Sequence, residues 1–242
     1  MIDYRFVDCA YELDRWEAGR DLYLEEHVPG AAFLGVELSD LSMEGQGRHP
    51  LPSEDAFAAA AGRAGIGDGT FVVAYDHGAA GGAARLWWLL RHVGHDDVAV
   101  LRGGFDSWLG SVHAGEEAIE PRTFVPRRRE GDTIDADELA GRLGEPGLVV
   151  VDARSPERYR GEAEPIDPVA GRIPGAVNWF HAEAAEPSPE ITAADEIVVY
   201  CGSGITACVD LLLLARAGRP DAKLYPSSWS DWCRRELPVE RG

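Results

Sequence analysis

The second half of the chain repeats the first at low identity, and this repeat limits the folds that the chain can adopt. Four short motifs recur in the same order. The matching pairs are VDC at 7–9 with VDA at 151–153, HVPGA at 27–31 with RIPGA at 172–176, FVVAYD at 71–76 with IVVYC at 197–201, and VLRGGFDSW at 100–108 with LYPSSWSDW at 224–232. Four markers in one order are hard to obtain by chance, so we predict homologous domains in tandem. The predicted boundaries are residues 1–112 and 133–242, with a linker over 113–132.

Both halves alternate short apolar runs with longer amphipathic ones. The predicted strands are 70–75, 98–101, 148–152 and 196–200, and the predicted helices are 54–64, 82–93, 135–143 and 205–217. Alternation of this kind is typical of an α/β fold, in which a mainly parallel sheet is flanked by helices. Ligands of such folds bind at the carboxyl ends of the strands. Cys201 follows one of these ends directly.

Composition excludes several kinds of partner. The 242 residues carry a net charge of -19, which argues against nucleic-acid and anionic-membrane partners. No apolar run approaches the length of a transmembrane helix, and the first residues do not resemble a signal peptide. The cysteines at 9, 201, 208 and 233 lack both metal-binding spacing and a disulfide framework. We therefore expect a cytoplasmic protein without a metal or other cofactor.

Residues 198–208 (VVYCGSGITAC) carry the clearest chemical signal. A strand pattern enters Cys201, a glycine-rich loop follows, and then a helix begins. A thiolate at this place faces backbone N–H groups at the positive end of a helix dipole, which stabilises its charge. We predict that Cys201 is a nucleophile. Cys208 lies two helical turns further on and is predicted to be a core residue.

Further motifs extend this signal through the second half. They are DARSPERYRG at 152–161, EPI at 164–166, IPGAVN at 173–178 and CGSGITA at 201–207. With these motifs the chain resembles the two-domain rhodanese-type sulfurtransferases over nearly its whole length. The resemblance implies that Cys201 accepts a sulfane sulfur as a persulfide and passes it to cyanide, a thiol or a protein thiol. Backbone N–H groups of the loop would hold the persulfide anion; the predicted contributors are Gly202, Gly204, Ile205 and Thr206.

The first half lacks the nucleophile. Asp76 stands where the second half has Cys201, and a carboxylate cannot carry sulfur. In the family the first domain is a non-catalytic partner of the second.

The resemblance also implies residues that bind an anionic sulfur donor. Arg158 matches an arginine that binds the substrate, and its guanidinium suits a carboxylate or sulfonate. Some relatives have a second arginine where this chain has Ile166. Arg172 stands where a histidine is usual, and it could either supply the missing charge or be a surface residue.

Members that use 3-mercaptopyruvate have a Ser-His-acid relay that crosses the domains. Ser203 and His49 match its serine and histidine, and Glu37 stands where the family has an aspartate. Such a relay would supply a proton when sulfur departs. The neutral Gly202 and Ser203 favour 3-mercaptopyruvate as the donor. The absence of an arginine at position 166 argues against it, so both 3-mercaptopyruvate and thiosulfate remain candidate donors.

Alternatives for the cysteine loop and the charged linker remain open. A cysteine phosphatase or arsenate reductase requires an arginine six residues after the cysteine, where this chain has Ala207. A non-catalytic or sulfur-carrier module of the same fold is the other alternative. The basic run 127–129 is either a solvated surface or a field that steers anions. The tryptophan-rich segments are predicted to pack in the core.

Overall fold

The computed structural model describes residues 3–11, 15–43, 47–78, 81–183 and 186–242. The chain forms compact units: Met1–Asp40 with Leu51–Arg129, and Leu41–Pro50 with Glu130–Gly242. The segment Leu41–Pro50, which the sequence placed in the first domain, therefore belongs with the second unit.

The first unit contains a parallel sheet in the order β2-β1-β3-β4. The strands are β1 (Tyr4–Asp8), β2 (Ala32–Phe33), β3 (Phe71–Tyr75) and β4 (Val98–Val100). The central pair, β1 and β3, is in register from Tyr4 with Phe71 to Asp8 with Tyr75. This register brings the carboxyl ends of both central strands to one edge of the sheet.

Helices and single turns connect these strands. They are α1 (Trp16–Glu25), α2 (Glu54–Arg63), α3 (Gly82–His92) and 3₁₀ turns at Val36–Leu38 and Phe105–Ser107. Local sequence explains where α2 begins, because the Ser53 hydroxyl accepts a hydrogen bond from the Ala56 N–H at 3.3 Å. Glu54 and Asp55 lie in its first turn and Arg63 in its last, as the helix dipole favours.

The second unit has the same topology. Its strands are β5 (Leu148–Asp152), β6 (Val177–Asn178), β7 (Glu196–Tyr200) and β8 (Lys223–Leu224), in the order β6-β5-β7-β8 and all parallel. Its helices are α4 (Ala136–Arg142), α5 (Pro156–Arg160), α6 (Pro189–Thr192), α7 (Ala207–Arg216) and α8 (Ser228–Trp232). Asp135 is the N-cap of α4, and its side chain accepts a hydrogen bond from the Glu138 N–H at 2.8 Å.

The predicted α/β class with tandem parallel sheets is confirmed. The predicted strands of both units are present within one residue at each end. The predicted helix 205–217 is shorter than expected, because α7 begins at Ala207 and residues 205 and 206 belong to the cysteine loop. The strand β1, the ten-residue helix α1, the two-residue strands and the short helices were not predicted. For the shortest of these elements, runs of two to five residues carry no period.

In the second unit, buried side chains from one face of the sheet pack against α8. The second core contains Val150, Val198, Tyr200, Trp229 and Trp232. Both tryptophans are fully buried, and Trp87 and Trp88 are buried in the first unit. The prediction that the tryptophans serve packing holds for these four.

The segment after the first sheet contains no helix or strand over the described residues 109–132. The N–H groups of Arg127 and Arg129 donate to the carbonyls of Val93 and His92 at the end of α3, both at 2.7 Å. Asp68, Glu54 and Asp96 pair with the successive arginines of the run. The basic run is therefore paired with acids of its own unit. No helix in the described part of the chain is long and apolar enough to cross a membrane.

Candidate active site

Cys201 lies at the carboxyl end of β7 and is almost completely buried. Its backbone is held on both sides, since its N–H donates to the Ser228 hydroxyl at 3.1 Å and its carbonyl accepts from the Trp229 N–H at 3.0 Å. The Gly204 N–H donates to the sulfur at 3.1 Å. The sulfur thus lies inside the loop, where a backbone N–H stabilises negative charge on it.

Gly204 has to be a glycine for this loop to close. Its φ is +82°, in the left-handed region. A Cβ at this position would lie 2.1 Å from the carbonyl oxygen of Pro226. The Ser230 N–H donates to the carbonyl of Gly202 at 2.9 Å, so the loop is also tied to the start of α8.

Helix α7 begins directly behind the loop. Thr206 is its N-terminal flanking residue, and Ile205, the loop residue before it, is buried. The first turn of α7 therefore presents the positive end of the helix dipole to the Cys201 side. Cys208 is fully buried and donates to the Gly204 carbonyl at 3.4 Å, in agreement with its predicted core position.

Ser203 and His49 meet, as the relay prediction requires. The serine hydroxyl and Nδ1 of the imidazole share a hydrogen bond of 2.7 Å, and both residues are buried. Because Leu41–Pro50 belongs to the second unit, this pair forms within one unit. Glu37 lies in the first unit, where its carboxylate accepts from the Gly35 N–H at 3.1 Å, and its place in a relay stays a prediction.

Arg158 lies beside the loop and is oriented by acids. Its Nε and Nη2 donate to Glu164 at 3.1 and 2.7 Å, and Nη2 also reaches Asp167 at 3.3 Å. Burial raises the pKa of Glu164, but hydrogen bonds from Arg158 outweigh it and the net pKa is lowered. Glu164 is therefore ionised and holds the guanidinium in place.

Arg48 is the neighbour of this network that the sequence did not predict. Its Nη1 pairs with Asp167, and its Nη2 lies 2.7 Å from the position of a Cβ on Gly202. Its backbone N–H donates to the Ser230 hydroxyl at 3.0 Å. No local signal could have found Arg48, because its role depends on where the segment 41–50 packs.

The neighbours of the Arg172 side chain are residues of α5 and of the C-terminal segment. Its guanidinium pairs with Glu240, donates to the Gly242 carbonyl at 2.6 Å, and lies 4.4 Å from the centre of the Tyr159 ring. These contacts tie the C-terminal residues to the end of α5. Of the two roles considered for Arg172, they support neither a donor contact nor a solvated surface position, because the side chain is buried and occupied. Ile166 is 47% exposed.

The start of the DARS motif is structural. Arg154 donates to Asp152 from Nε and Nη2, and from Nη2 to the Gly171 carbonyl at 2.7 Å. Its guanidinium also lies 4.6 Å from the centre of the Trp229 ring. Because Asp152 ends β5 and also accepts from the Tyr200 hydroxyl at 2.6 Å, this buried cluster locks the ends of the two central strands.

Asp210 is a second residue that sequence reasoning missed. It lies on α7, is fully buried, and neither carboxyl oxygen has a hydrogen-bond partner among the described residues. Burial, and then the charges of Cys201 and Asp152, raise its pKa well above the ordinary range. This environment favours the neutral form of the carboxyl. An acid inside the apolar run ACVDLLLLA was the signal available in the sequence.

Among the described residues, no cluster of three or more His, Cys, Asp or Glu side chains could hold a metal ion. The side chains and backbone at this site supply a thiol with an N–H donor, a Ser-His pair and two guanidinium groups.

Comparison with known proteins identifies the family of the chain. Residues 2–111 and 135–235 each match the rhodanese-like domain family. The chain therefore belongs to the rhodanese family and contains the domain twice.

Curated relatives cover most of the chain. A probable 3-mercaptopyruvate sulfurtransferase of Pseudomonas aeruginosa is 39% identical over 95% of this chain and 89% of its own length. A putative thiosulfate sulfurtransferase of Mycobacterium tuberculosis is 37% identical over 98% and 90%. The crystal structure of a 3-mercaptopyruvate sulfurtransferase-type enzyme from Escherichia coli superposes with a TM-score of 0.79 at 28% identity, over 94% of this chain and 93% of that one.

The protein is a sulfurtransferase, as the resemblance predicted. The phosphatase and non-catalytic alternatives find no support in these relatives. The relatives carry two donor names, so their similarity does not decide between 3-mercaptopyruvate and thiosulfate.

Proposed function

We propose that this enzyme takes a sulfane sulfur from 3-mercaptopyruvate onto Cys201 and passes it to a thiol or to cyanide. The observation that carries the choice of donor is the 2.7 Å hydrogen bond between Ser203 and His49 beside the cysteine loop. A donor whose leaving group must be protonated needs such a pair, whereas thiosulfate does not.

In the first half-reaction the Cys201 thiolate attacks the sulfur of the donor. The new S–S bond forms as the C–S bond breaks, and its electron pair stays on carbon as the enolate of pyruvate. The proton of the donor thiol ends on this carbon, leaving pyruvate and a Cys201 persulfide anion. The Gly204 N–H, which already donates to Sγ, is placed to stabilise the anion.

Ser203 and His49 would move that proton. The hydroxyl and the imidazole can pass a proton between them along their hydrogen bond. Ser203 is two residues after Cys201 in the sequence. Glu37 is the third member that the family resemblance implies.

Thiosulfate is the second candidate donor. Attack on its outer sulfur releases sulfite, which is stable as a dianion and needs no proton. The guanidinium groups beside Gly202 favour this donor as well, because they suit an anionic oxygen cluster. The structure thus fits both donors, and the proton requirement separates them.

In the second half-reaction an acceptor attacks the outer sulfur of the persulfide. Cyanide leaves as thiocyanate, while a small or protein thiol becomes a persulfide, and Cys201 returns as a thiolate. All four cysteines are free thiols. They fit the reducing cytoplasm that we propose as the location of the enzyme.

The experiment is to incubate the protein with each donor, remove excess donor and measure the intact mass. One sulfur adds about 32 Da, and later addition of cyanide should release thiocyanate in equal amount. Cys201→Ser should form no adduct, while the control Cys233→Ser should form it normally. No adduct on the wild-type protein with either donor would overturn the proposal.

A further inference from the structure

The residues just before the predicted relay histidine are held firmly against the second unit. The Arg48 N–H donates to Ser230 at 3.0 Å and His49 bonds to Ser203 at 2.7 Å. Gly47 has φ of +86°, and a Cβ there would lie 2.6 Å from the Ser227 carbonyl oxygen. Residues 47–49 therefore have one defined position beside the cysteine loop.

Two guanidinium groups lie over Gly202, the residue next to Cys201. A Cβ on Gly202 would lie 2.7 Å from Nη2 of Arg48 and 3.3 Å from Nη1 of Arg158. These arginines come from segments separated by more than a hundred residues of chain. Their convergence on one glycine beside the nucleophile is therefore a product of the fold.

The acids around these arginines leave the nitrogens nearest to Gly202 available. Asp167 binds Nη1 of Arg48, and Glu164 and Asp167 bind Nε and Nη2 of Arg158. Among the described residues, Nη2 of Arg48 and Nη1 of Arg158 have no hydrogen-bond partner. Both side chains keep some exposure, 21% for Arg48 and 16% for Arg158, so a solute can reach them.

Charge and geometry define what such a pair binds. A guanidinium offers fixed N–H pairs that match the oxygens of a carboxylate or sulfonate, and two of them can hold one anionic group from two sides. Ile166, at the place where some relatives have an arginine, is apolar and exposed. Arg172 is occupied by Tyr159 and the C-terminal residues.

We propose that Arg48, together with Arg158, binds the anionic oxygen group of the sulfur donor and holds the donor's sulfur over Cys201. This inference deepens the proposed function and rests on it. It makes residues 48 and 49 a pair in which the first recognises the donor and the second serves the proton relay.

The test is steady-state kinetics of Arg48→Gln and Arg48→Lys with 3-mercaptopyruvate and with thiosulfate. Loss of a charged hydrogen bond to the donor predicts that Arg48→Gln raises KM about 10- to 100-fold while kcat changes less than about 3-fold. Arg48→Lys should recover part of the loss, because it keeps the charge without the fork. Arg160→Gln is the matched control, since Arg160 is on α5 and pairs with the exposed Glu162.

A second measurement separates donor binding from a structural role. The persulfide is first loaded at saturating donor, the donor is removed, and transfer to dithiothreitol is followed in a single turnover. Because the donor's anionic group is then absent, Arg48→Gln should transfer sulfur at the wild-type rate. Slow transfer in this step would mean that Arg48 only supports the loop, and an unchanged donor KM would equally overturn the inference.

The two proposals fail in different ways. If the wild-type protein forms no adduct with either donor, the proposed function fails. If the wild-type adduct forms and the Arg48→Gln kinetics match wild type, only the role of Arg48 fails.

Discussion

The carboxyl ends of β3 and β7 are the same place in two copies of one fold, yet they hold different residues. Each strand ends in a tyrosine whose hydroxyl accepts an N–H of the PGA motif at 3.1 Å: Tyr75 from Val28 and Tyr200 from Ile173. The next residue is Asp76 in the first unit and Cys201 in the second. The frame is thus conserved within the molecule while the reactive position is not.

In both copies this side chain accepts a backbone N–H. The Asp76 carboxylate accepts from the Ala83 N–H at 3.2 Å, in the first turn of α3, whereas the sulfur of Cys201 accepts from Gly204 at 3.1 Å. The dipole at a helix N-terminus favours the anionic form of a carboxylate. A thiol can be charged, sulfurated and restored. The aspartate of the first unit therefore cannot accept sulfur, whereas a cysteine at the same position can accept sulfur and release it again.

The carboxylates that end β1 and β5 also have different partners. Asp8 pairs with His77 at 2.9 Å, while Asp152 pairs with Arg154. Burial lowers the pKa of His77, but the hydrogen bond to Asp8 outweighs it and the net pKa is raised. In the second unit the carboxylate is thus paired with a guanidinium, which stays charged. In the first unit it is paired with an imidazole, which can titrate.

The largest expected effect comes from giving the second site the residue of the first. Cys201→Asp should lower turnover with either donor by at least about 10³-fold, because a carboxylate cannot form a persulfide. Asp76→Asn, the control in the other unit, should stay within about 2-fold. The check is thiocyanate formation under saturating donor. Comparable losses in the two variants would mean that both strand ends take part in the reaction.

A smaller effect is expected at the glycine that closes the loop. Gly204→Ala should destabilise the protein by about 3 kcal/mol, because left-handed backbone disfavours a Cβ and that Cβ would overlap the Pro226 carbonyl. Gly175 has a similar φ, but a Cβ there would meet no heavy atom within 4 Å. Gly175→Ala should therefore lower the free energy of unfolding by only about 1 kcal/mol.

Urea unfolding of both variants tests this difference. Gly30 is the counterpart of Gly175 in the first unit, with the same φ of +75° and nothing within 4 Å. Gly30→Ala should therefore match Gly175→Ala. Equal effects at Gly204 and Gly175 would contradict the close contact at the cysteine loop.

The relay gives the next effect. His49→Ala should lower turnover with 3-mercaptopyruvate by about 30- to 100-fold, because the proton of the donor thiol is no longer relayed to the leaving enolate. Turnover with thiosulfate should fall by less than about 3-fold, and this reaction is the internal control. A donor-independent loss would show that the His49–Ser203 bond supports the loop and not proton transfer.

The smallest effect concerns stability against pH. Burial, partly offset by the N–H groups of Ala83 and Gly78, raises the pKa of Asp76 to about 6. A carboxyl with a raised pKa in the folded state stabilises the fold below its unfolded pKa of about 4, and this contribution is lost as the pH rises toward 6. Asp76→Asn removes the titration.

The free energy of unfolding of Asp76→Asn, relative to wild type, should therefore improve by about 1 to 2 kcal/mol between pH 4 and pH 7. Urea titrations at three pH values measure it. Asp97→Asn, at an exposed carboxylate in the same unit, should show no such trend. A flat difference for Asp76→Asn would mean that its carboxyl is solvated in the folded protein.

Most of the scaffold was predictable because its signals are local. The apolar runs before Asp76 and Cys201, the caps at Ser53 and Asp135 and the repeated PGA motif each depend on a few neighbouring residues. The two-residue strands β2 and β6 were not predictable from the sequence. They form because each pairs with a longer parallel strand, and not because of a pattern of their own.

The site was predictable to a different degree at each residue. Cys201 and Gly204 were found because strand, loop and helix follow one another in the chain. His49 and Ser203 were paired by family resemblance, and the structure brings them within a hydrogen bond. Arg172 contacts the C-terminal residues, and Arg48 lies beside the cysteine loop. No local sequence pattern predicts either position.

The sequence alone determined that this protein has two α/β domains, that one carries a cysteine at the start of a glycine-rich loop and that the other carries an aspartate in its place. These features are short-range and are set by backbone propensity and side-chain period. Only the tertiary structure decided that residues 41–50 belong with the second unit, and that Arg48 and His49 stand beside Cys201. Ser203 and His49 are 154 positions apart, and pairing at such a separation depends on how complete surfaces pack.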